Sequence, residues 1–309
     1  MSGPGTRIVV GVNGSPHSLN ALTFAVAEAR LRNVPLTVLH TWDCVAMYEG
    51  AWPLPIEGVE KAAASELKAA ADRVEMLAPG LEHSEQLVRG RPDVALVAAS
   101  DGASLVVLGH HEGMSAWLGP VISHVAAAVQ CPMIAVSGDV PAHRGRIVVG
   151  VDGSPVSSEA VDYAFDQASR WSSPLTAVLA VELGFDAYVP SQELLDQTHE
   201  RGRRYQSEAL SGQQEAYPDV AVSQVLSLDA PLHALRQAAQ GAALVVVGSH
   251  GRGALRRVAL GSVSSSLLRA APCPVAVVRP RSTASGEDAR LSMAKWRSPL
   301  VANKSPHLA

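Results

Sequence analysis

The sequence predicts an α/β fold built twice, and three observations carry that expectation. Arg7-Ile-Val-Val-Gly-Val-Asn-Gly-Ser-Pro16 and Arg146-Ile-Val-Val-Gly-Val-Asp-Gly-Ser-Pro155 differ at one residue, at an offset of 139. The offset recurs at Pro35-Leu-Thr37 against Pro174-Leu-Thr176, at Pro92 against Pro231 and at Ala103–Gly109 against Ala242–Gly248. It moves to 142 at Cys131-Pro132 against Cys273-Pro274. Within each copy, short wholly apolar runs alternate with longer helix-like segments, the pattern of a parallel sheet covered on both faces. A chain of 309 residues also has the length of about two domains. The expected units span 6–138 and 145–279, followed by a tail, 281–309, rich in Ser, Pro and charge and expected to be disordered.

Each element follows from local chemistry. Ile8–Val12 is an apolar run stopped by Asn13-Gly14-Ser15-Pro16, which reads as a buried strand and a turn. Ser18 ahead of Leu22, Val26 and Leu31 suits a capped amphipathic helix. Leu36–Thr41 is a second strand, 59–77 a helix, 86–88 a third strand, 93–100 a helix, 105–108 a strand, 121–129 a helix and 133–136 a last strand. The second unit repeats the order at 147–151, 160–168, 176–181, 194–210, 222–226, 232–239, 244–247, 263–268 and 275–278. In such sheets ligands bind at the carboxyl ends of the strands, where the order reverses, so the loops after the first and fourth strands are the candidate site.

Composition narrows the function. Hydrophobic residues make up 47% and charged residues 17%, and the net charge of -4 gives no reason to expect nucleic acid or anionic lipid as a bulk partner. Cys44, Cys131 and Cys273 show no metal spacing and read as small buried hydrophobes in a reducing compartment. No apolar leader and no run near the ~20 residues of a membrane span are visible, so the expected location is cytoplasmic.

After its fourth strand the second unit reads Gly248-Ser-His-Gly251-Arg-Gly-Ala-Leu-Arg-Arg-Val-Ala-Leu-Gly261-Ser262, and then a helix. Phosphate needs backbone N–H donors that can approach closely, and glycine leaves them unobstructed. Gly261-Ser262 opens a helix whose first N–H groups lack partners and carry the positive end of the dipole. Ser262 adds a hydroxyl, while Arg252, Arg256 and Arg257 add positive charge.

Val149-Gly-Val-Asp152-Gly-Ser154, the loop Gly248–Ser262 and Cys273-Pro-Val-Ala-Val-Val278 together resemble the universal stress protein family, here in a tandem, two-domain form covering about residues 6–279. The resemblance implies two Rossmann-like units, each a five-stranded parallel sheet in order 3-2-1-4-5. In the glycine-loop branch it implies bound ATP, with or without Mg. By resemblance Asp152, Gly153 and the backbone near Val181 hold the ribose and adenine end. Gly248, Gly251, Arg252, Gly261, Ser262, Val263 and Ser264 hold the phosphates. The choice of adenine comes from the family, not from the residues. Family dimers pair through strand five, so the two units are expected to form a pseudo-dimer through 133–136 and 275–278; a further homodimer is compatible with this.

The first unit departs from the pattern in one direction. Its loop, Gly109-His-His-Glu-Gly113-Met-Ser-Ala-Trp-Leu-Gly119-Pro120, is three residues shorter. Glu112 stands in place of Gly251, Pro120 of Ser262, Ile122 of Ser264 and Asn13 of Asp152, and the loop arginines have no counterpart. Donors and positive charge are lost and a carboxylate is gained, so the nucleotide is expected to be held mainly by the second unit.

Other signals carry less. His110-His111 lacks a third metal ligand, and His250 reads as an exposed loop histidine. Neither a P-loop nor a G-x-S-x-G elbow occurs. Tyr48–Pro55, with Trp52, Pro53 and Pro55, reads as a plug or interface loop. The expected function is an ATP-binding stress-response regulator with little or no hydrolysis, acting on a regulatory protein partner that the sequence does not name. The alternatives are a nucleotide-independent interaction scaffold and, third, an adenylyl hydrolase or transferase, which the lack of an acid–base or nucleophile constellation disfavours.

Overall fold

The computed structural model describes residues 6–43, 56–110, 119–138, 145–181, 192–251 and 260–279. Cys44, Tyr48–Pro55, Glu112 with Gly113, Arg252 with Arg256 and Arg257, and the tail 281–309 lie outside these residues. The first unit runs β1 (Arg7–Val12), α1 (Pro16–Arg32), β2 (Leu36–Trp42), α2 (Ile56–Leu77), β3 (His83–Arg89), α3 (Pro92–Ala99), β4 (Ala103–His110), α4 (Pro120–Ala128) and β5 (Met133–Ser137). The second runs β6 (Ile147–Val151), α5 (Pro155–Trp171), β7 (Leu175–Ala180), α6 (Gln192–Ala216), β8 (Val222–Ser227), α7 (Pro231–Ala238), β9 (Leu244–Gly248), α8 (Ser262–Ala270) and β10 (Val275–Val278).

The strands form one ten-stranded sheet in the order β3-β2-β1-β4-β5-β10-β9-β6-β7-β8. Within each unit neighbours are parallel and the order is 3-2-1-4-5. At the junction β10 runs antiparallel to β5, with Val275 opposite Ala135, Ala276 opposite Ile134 and Val277 opposite Met133. Both strands are buried along their whole length. A strand apolar on both faces is costly as an open edge, and pairing removes two such edges at once. The reversal also sends the carboxyl ends of the two units' strands to opposite edges of the sheet.

Two hydrophobic layers, one on each face, run without a break through both units. One contains Phe24, Leu36, Phe165 and Leu175; the other contains Leu105's neighbour Val106 with Met133, Val245 and Val275. Cys131 and Cys273 belong to the second layer, buried as expected, and burial pushes the Cys131 thiol up to about 12.

Helix starts differ from the expectation in one respect. Ser15, not Ser18, is the N-cap of α1, and its side chain accepts from Ser18 N–H. Ser18 sits in the first turn, its Oγ donating to Ser15 O and accepting from Asn13 N–H. Pro16 at the first helical position explains the shift, since Pro belongs inside the first turn and the cap directly before it. Leu22 and Val26 are buried, whereas Leu31 is exposed and Ala25 and Ala29 complete the inner face.

A buried polar network joins α1 to α5 across the junction. Glu28, fully buried, accepts from Arg32 Nε at 2.9 Å, from Gln167 Nε2 at 2.9 Å and from Trp171 Nε1 at 2.7 Å. Arg32 also donates to Gln167 Oε1 and lies over the Tyr163 ring, while Phe24 meets Trp171 edge-on at 6.0 Å. Positions 24, 28 and 32 correspond to 163, 167 and 171 at the repeat offset, so one helical stripe meets its own copy with altered chemistry. A buried carboxylate is tolerable only with its donors in place, and removing one partner of such a pair costs about 3–5 kcal/mol. Glu28→Ala should therefore destabilise the full chain by roughly that amount, measured by urea denaturation. A loss under ~1 kcal/mol would show the network to be peripheral.

Separately expressed halves would expose β5 or β10 as an apolar edge. They are expected to self-associate or aggregate in sedimentation experiments. Halves that stay monomeric and melt where the full chain does would mean that the junction contributes nothing.

Candidate functional site

The site is built on a turn that both units share. Asp152 closes β6, and its Oδ1 accepts from Ser154 N–H at 2.9 Å and from Ser154 Oγ at 2.7 Å. Ser154 Oγ in turn accepts from Ser157 N–H at 3.1 Å, capping α5, and Asp152 N–H donates to Ser157 Oγ. Gly153 between them has φ +79°, a left-handed conformation that glycine adopts without strain. In the first unit Asn13 Oδ1 accepts from Ser15 N–H and Ser15 Oγ, and Ser15 caps α1 in the same way. Asn13 thus preserves the turn without the charge. Sequence reasoning did not assign roles to Ser154 and Ser157. The signal was visible in Gly14-Ser15-Pro16-His17-Ser18 repeating as Gly153-Ser154-Pro155-Val156-Ser157.

The glycine loop leaves β9 next to this turn. A Cβ on Gly248 would lie 2.8 Å from Val156 Cγ1 and 3.2 Å from Val156 O, so α5's first turn requires glycine there. Gly109 in the first unit faces the His17 carbonyl in the same manner. This glycine serves helix packing in both units and does not distinguish them. A Cβ on Gly251 would lie 2.8 Å from Asp152 Oδ2, which places the loop backbone directly against the carboxylate.

The loop's two ends are tied together by Ser249, which is fully buried. Ser249 N–H donates to Val278 O at 2.8 Å, and Ser249 O accepts from Gly261 N–H at 2.8 Å. Gly261 is the N-cap of α8 and makes no side-chain cap bond. Its own N–H is spent on Ser249, so the donors that a helix start leaves over come from Ser262, Val263 and Ser264. Ser262 is exposed and Val263 half-buried. Ser264 is buried and its Oγ points at Ser249 O and Gly261 O, so it contributes backbone rather than hydroxyl to the cleft. In the first unit α4 begins with Pro120, which has no N–H to offer.

Val181, at the end of β7, is buried and its N–H donates to Ser227 O at 2.8 Å. Its N–H is thus committed to the strand ladder. His250 is half-buried rather than exposed, with Nδ1 2.9 Å from Ser249 Oγ. The structure therefore brings Asp152, Gly153, Gly248, Gly251, Gly261, Ser262 and Val263 to one carboxyl edge. Among the described residues no group of three or more His, Cys, Asp or Glu could hold a metal, and no helix is long and apolar enough to cross a membrane.

Comparison with known proteins gives concordant results. A family model described as "Universal stress protein family" matches residues 5–137 and again 143–279. A universal stress protein of Mycobacterium tuberculosis is 39% identical over 296 residues, covering 88% of this chain and 96% of that protein. One from Mycolicibacterium smegmatis is 35% identical over 287 residues, covering 89% and 97%. The crystal structure of a universal stress protein from Archaeoglobus fulgidus superposes with a TM-score of 0.69 at 20% identity, over 90% of this chain and 99% of the other, which supports the fold.

The geometry separates a glycine held by packing, Gly248, from one with room around it, Gly261. Gly248→Ala should destabilise the protein by about 1–3 kcal/mol through overpacking against Val156. Gly261→Ala should be tolerated, because a Cβ there has its nearest atoms at 3.4 Å and φ is already -64°. Thermal melts of the two variants test this, and equal melting temperatures would contradict the assignment.

Proposed function

The chain belongs to the universal stress protein family, and from that premise we propose that it is an ATP-binding stress-response regulator that holds its nucleotide in the second unit. The observation that carries the reading is the start of α8. It is a helix N-terminus with no side-chain cap, packed on Ser249 and His250 of the loop whose Gly251 lies against Asp152, at the carboxyl edge of a parallel sheet. Such an end attracts phosphate through unpartnered N–H groups and the helix dipole. Ser262, Val263 and Ser264 would supply backbone donors, Ser262 a hydroxyl, and Gly251 a backbone close to the ligand. Arg252 would add charge from the loop. Asp152, with Gly153, would receive the ribose, and the carbonyl side of Val181 would border the base. Bound Mg would supply charge neutralisation at the phosphates. The sequence offers no recognisable group to activate an in-line water, which favours retention of ATP over turnover.

The committed N–H of Val181 and the inward hydroxyl of Ser264 favour a second reading, a scaffold that binds no nucleotide. The two readings part on binding. Gly261→Asp, which sets a carboxylate where the phosphates would lie, should weaken ATP binding by about 100-fold or more while leaving the fold intact. Unchanged affinity in the folded variant would remove the site from consideration. Calorimetry on nucleotide-free protein should return about one strong site per chain, because Pro120 removes a helix-start donor in the first unit and Glu112 adds a carboxylate. Two similar strong sites would contradict that asymmetry.

A further inference from the structure

We propose that His40 and Glu66 form a proton-operated latch on the turn of the first unit's cleft. The two are paired when the His40 ring takes up a proton and separate when it gives the proton up. His40 is buried near the carboxyl end of β2, and its Nδ1 lies 2.6 Å from Val12 O. Its Nε2 lies 3.6 Å from Glu66 Oε2 on α2. The same carboxylate rests on the turn that follows β1, because a Cβ on Gly14 would meet Glu66 Oε2 at 3.0 Å and Cδ at 3.2 Å. Gly14 is the counterpart of Gly153 at the second unit's candidate cleft.

The hydrogen-bond partners decide what a proton does here. A carbonyl oxygen only accepts, so the nitrogen facing Val12 O carries a hydrogen. In the neutral ring Nε2 is then a bare acceptor, and it faces a carboxylate oxygen, which is an acceptor too. Such a contact is repulsive. A second proton on the ring makes Nε2 a donor and turns the contact into an ion pair. The ring is held by burial and by Val12, whereas the Glu66 side chain is 49% exposed and has water to move into. Glu66 is therefore the moving part, and Gly14 is what it covers or leaves.

The repeat shows that the fold does not require this pair. At the equivalent positions the second unit has Leu179, buried, and Tyr205, partly buried against the core, and neither side-chain type is charged near neutral pH. Around this end of β2 the neighbouring elements offer few other charges. β3 sets Leu87 beside His40, with Glu85 and Arg89 exposed on either side and Arg89 lying over the Trp42 ring. α1 carries His17 in its first turn, and α3, with Asp93, packs on the opposite face of the sheet. Glu66 is the carboxylate that meets the ring. Acidification thus acts on the first unit's turn and has no corresponding handle in the second, a property independent of any nucleotide.

The test follows the full-length protein by NMR over the range in which imidazoles ordinarily take up a proton, about pH 5 to 8. The Gly14 amide and the His40 ring should shift together with one common midpoint. His40→Leu, which installs the second unit's residue, should abolish the Gly14 shift. Glu66→Gln should reduce it and move the His40 midpoint to lower pH by roughly 0.2–0.7, the loss of one part-exposed ion partner. Amides of the second unit serve as the control for an intact fold. A Gly14 amide that does not move over this range would overturn the proposal. A Gly14 shift that persists unchanged in both variants would also overturn it, by assigning the titration to another group such as His17.

Discussion

The pairing of β5 with β10 is the constraint on which the remaining architecture rests. Each unit ends in a strand buried along its whole length, and a strand of that kind has no stable life as an open edge. Joining the two satisfies both ladders and merges two small sheets into one of ten strands. It also merges the hydrophobic layers, so that neither unit closes its core without the other. The pairing places α1 and α5 next to each other, and only there could Glu28 be buried. Its carboxylate is held by donors from both units, among them Gln167 and Trp171. The outer edges are treated differently. β3 and β8 expose polar residues such as Glu85, Gln86 and Gln224, which discourage further strand addition.

Duplication gives each position a built-in comparison, and the comparison shows where chemistry has been redistributed. Positions 24, 28 and 32 read Phe, Glu, Arg in one unit and Tyr, Gln, Trp at the same offset in the other. A stripe that would meet an identical copy in a homodimer has become a complementary pair with one buried charge and three neutral or cationic donors. The Asn13 and Asp152 turns show the opposite behaviour. Their hydrogen bonds to the following serine are the same, although one side chain is an amide and the other a carboxylate. The turn itself is therefore compatible with either residue.

Much of this was legible in the sequence because it depends on periodicity and punctuation. Apolar runs bounded by Gly, Ser and Pro marked the central strands, and the offset of 139 marked the tandem arrangement, whereas the largely polar edge strand β3, His83–Arg89, was expected only over 86–88. Strand order and the junction followed from the family resemblance, and the register at Val275–Ala135 agrees with it. What could not be read were effects of three-dimensional proximity. Two serines stood close enough to Pro16 to be caps, and only the helix start showed that Ser15 holds the role. Gly248 looked like a phosphate glycine, but the nearest atoms belong to Val156 of a helix 92 residues away in sequence. Ser264 looked like a phosphate hydroxyl, yet its Oγ lies within the stitch between Ser249 and Gly261. The α1–α5 network joins residues about 140 apart and leaves no local pattern at all.

These corrections change what distinguishes the two clefts. Glycine count was the visible signal, but the glycine after the fourth strand is a packing requirement in both units. The difference that remains lies in how α4 and α8 begin. α8 opens with Gly261 as a bare cap and Ser262 as a residue that keeps its N–H, whereas α4 opens with Gly119 and Pro120. Replacing the first helical N–H by a proline ring removes the donor nearest an incoming anion and leaves the helix itself undisturbed, because proline is well tolerated at that position. At the other end of the loop, Gly251 lies close enough to Asp152 that a Cβ there would require the carboxylate to shift.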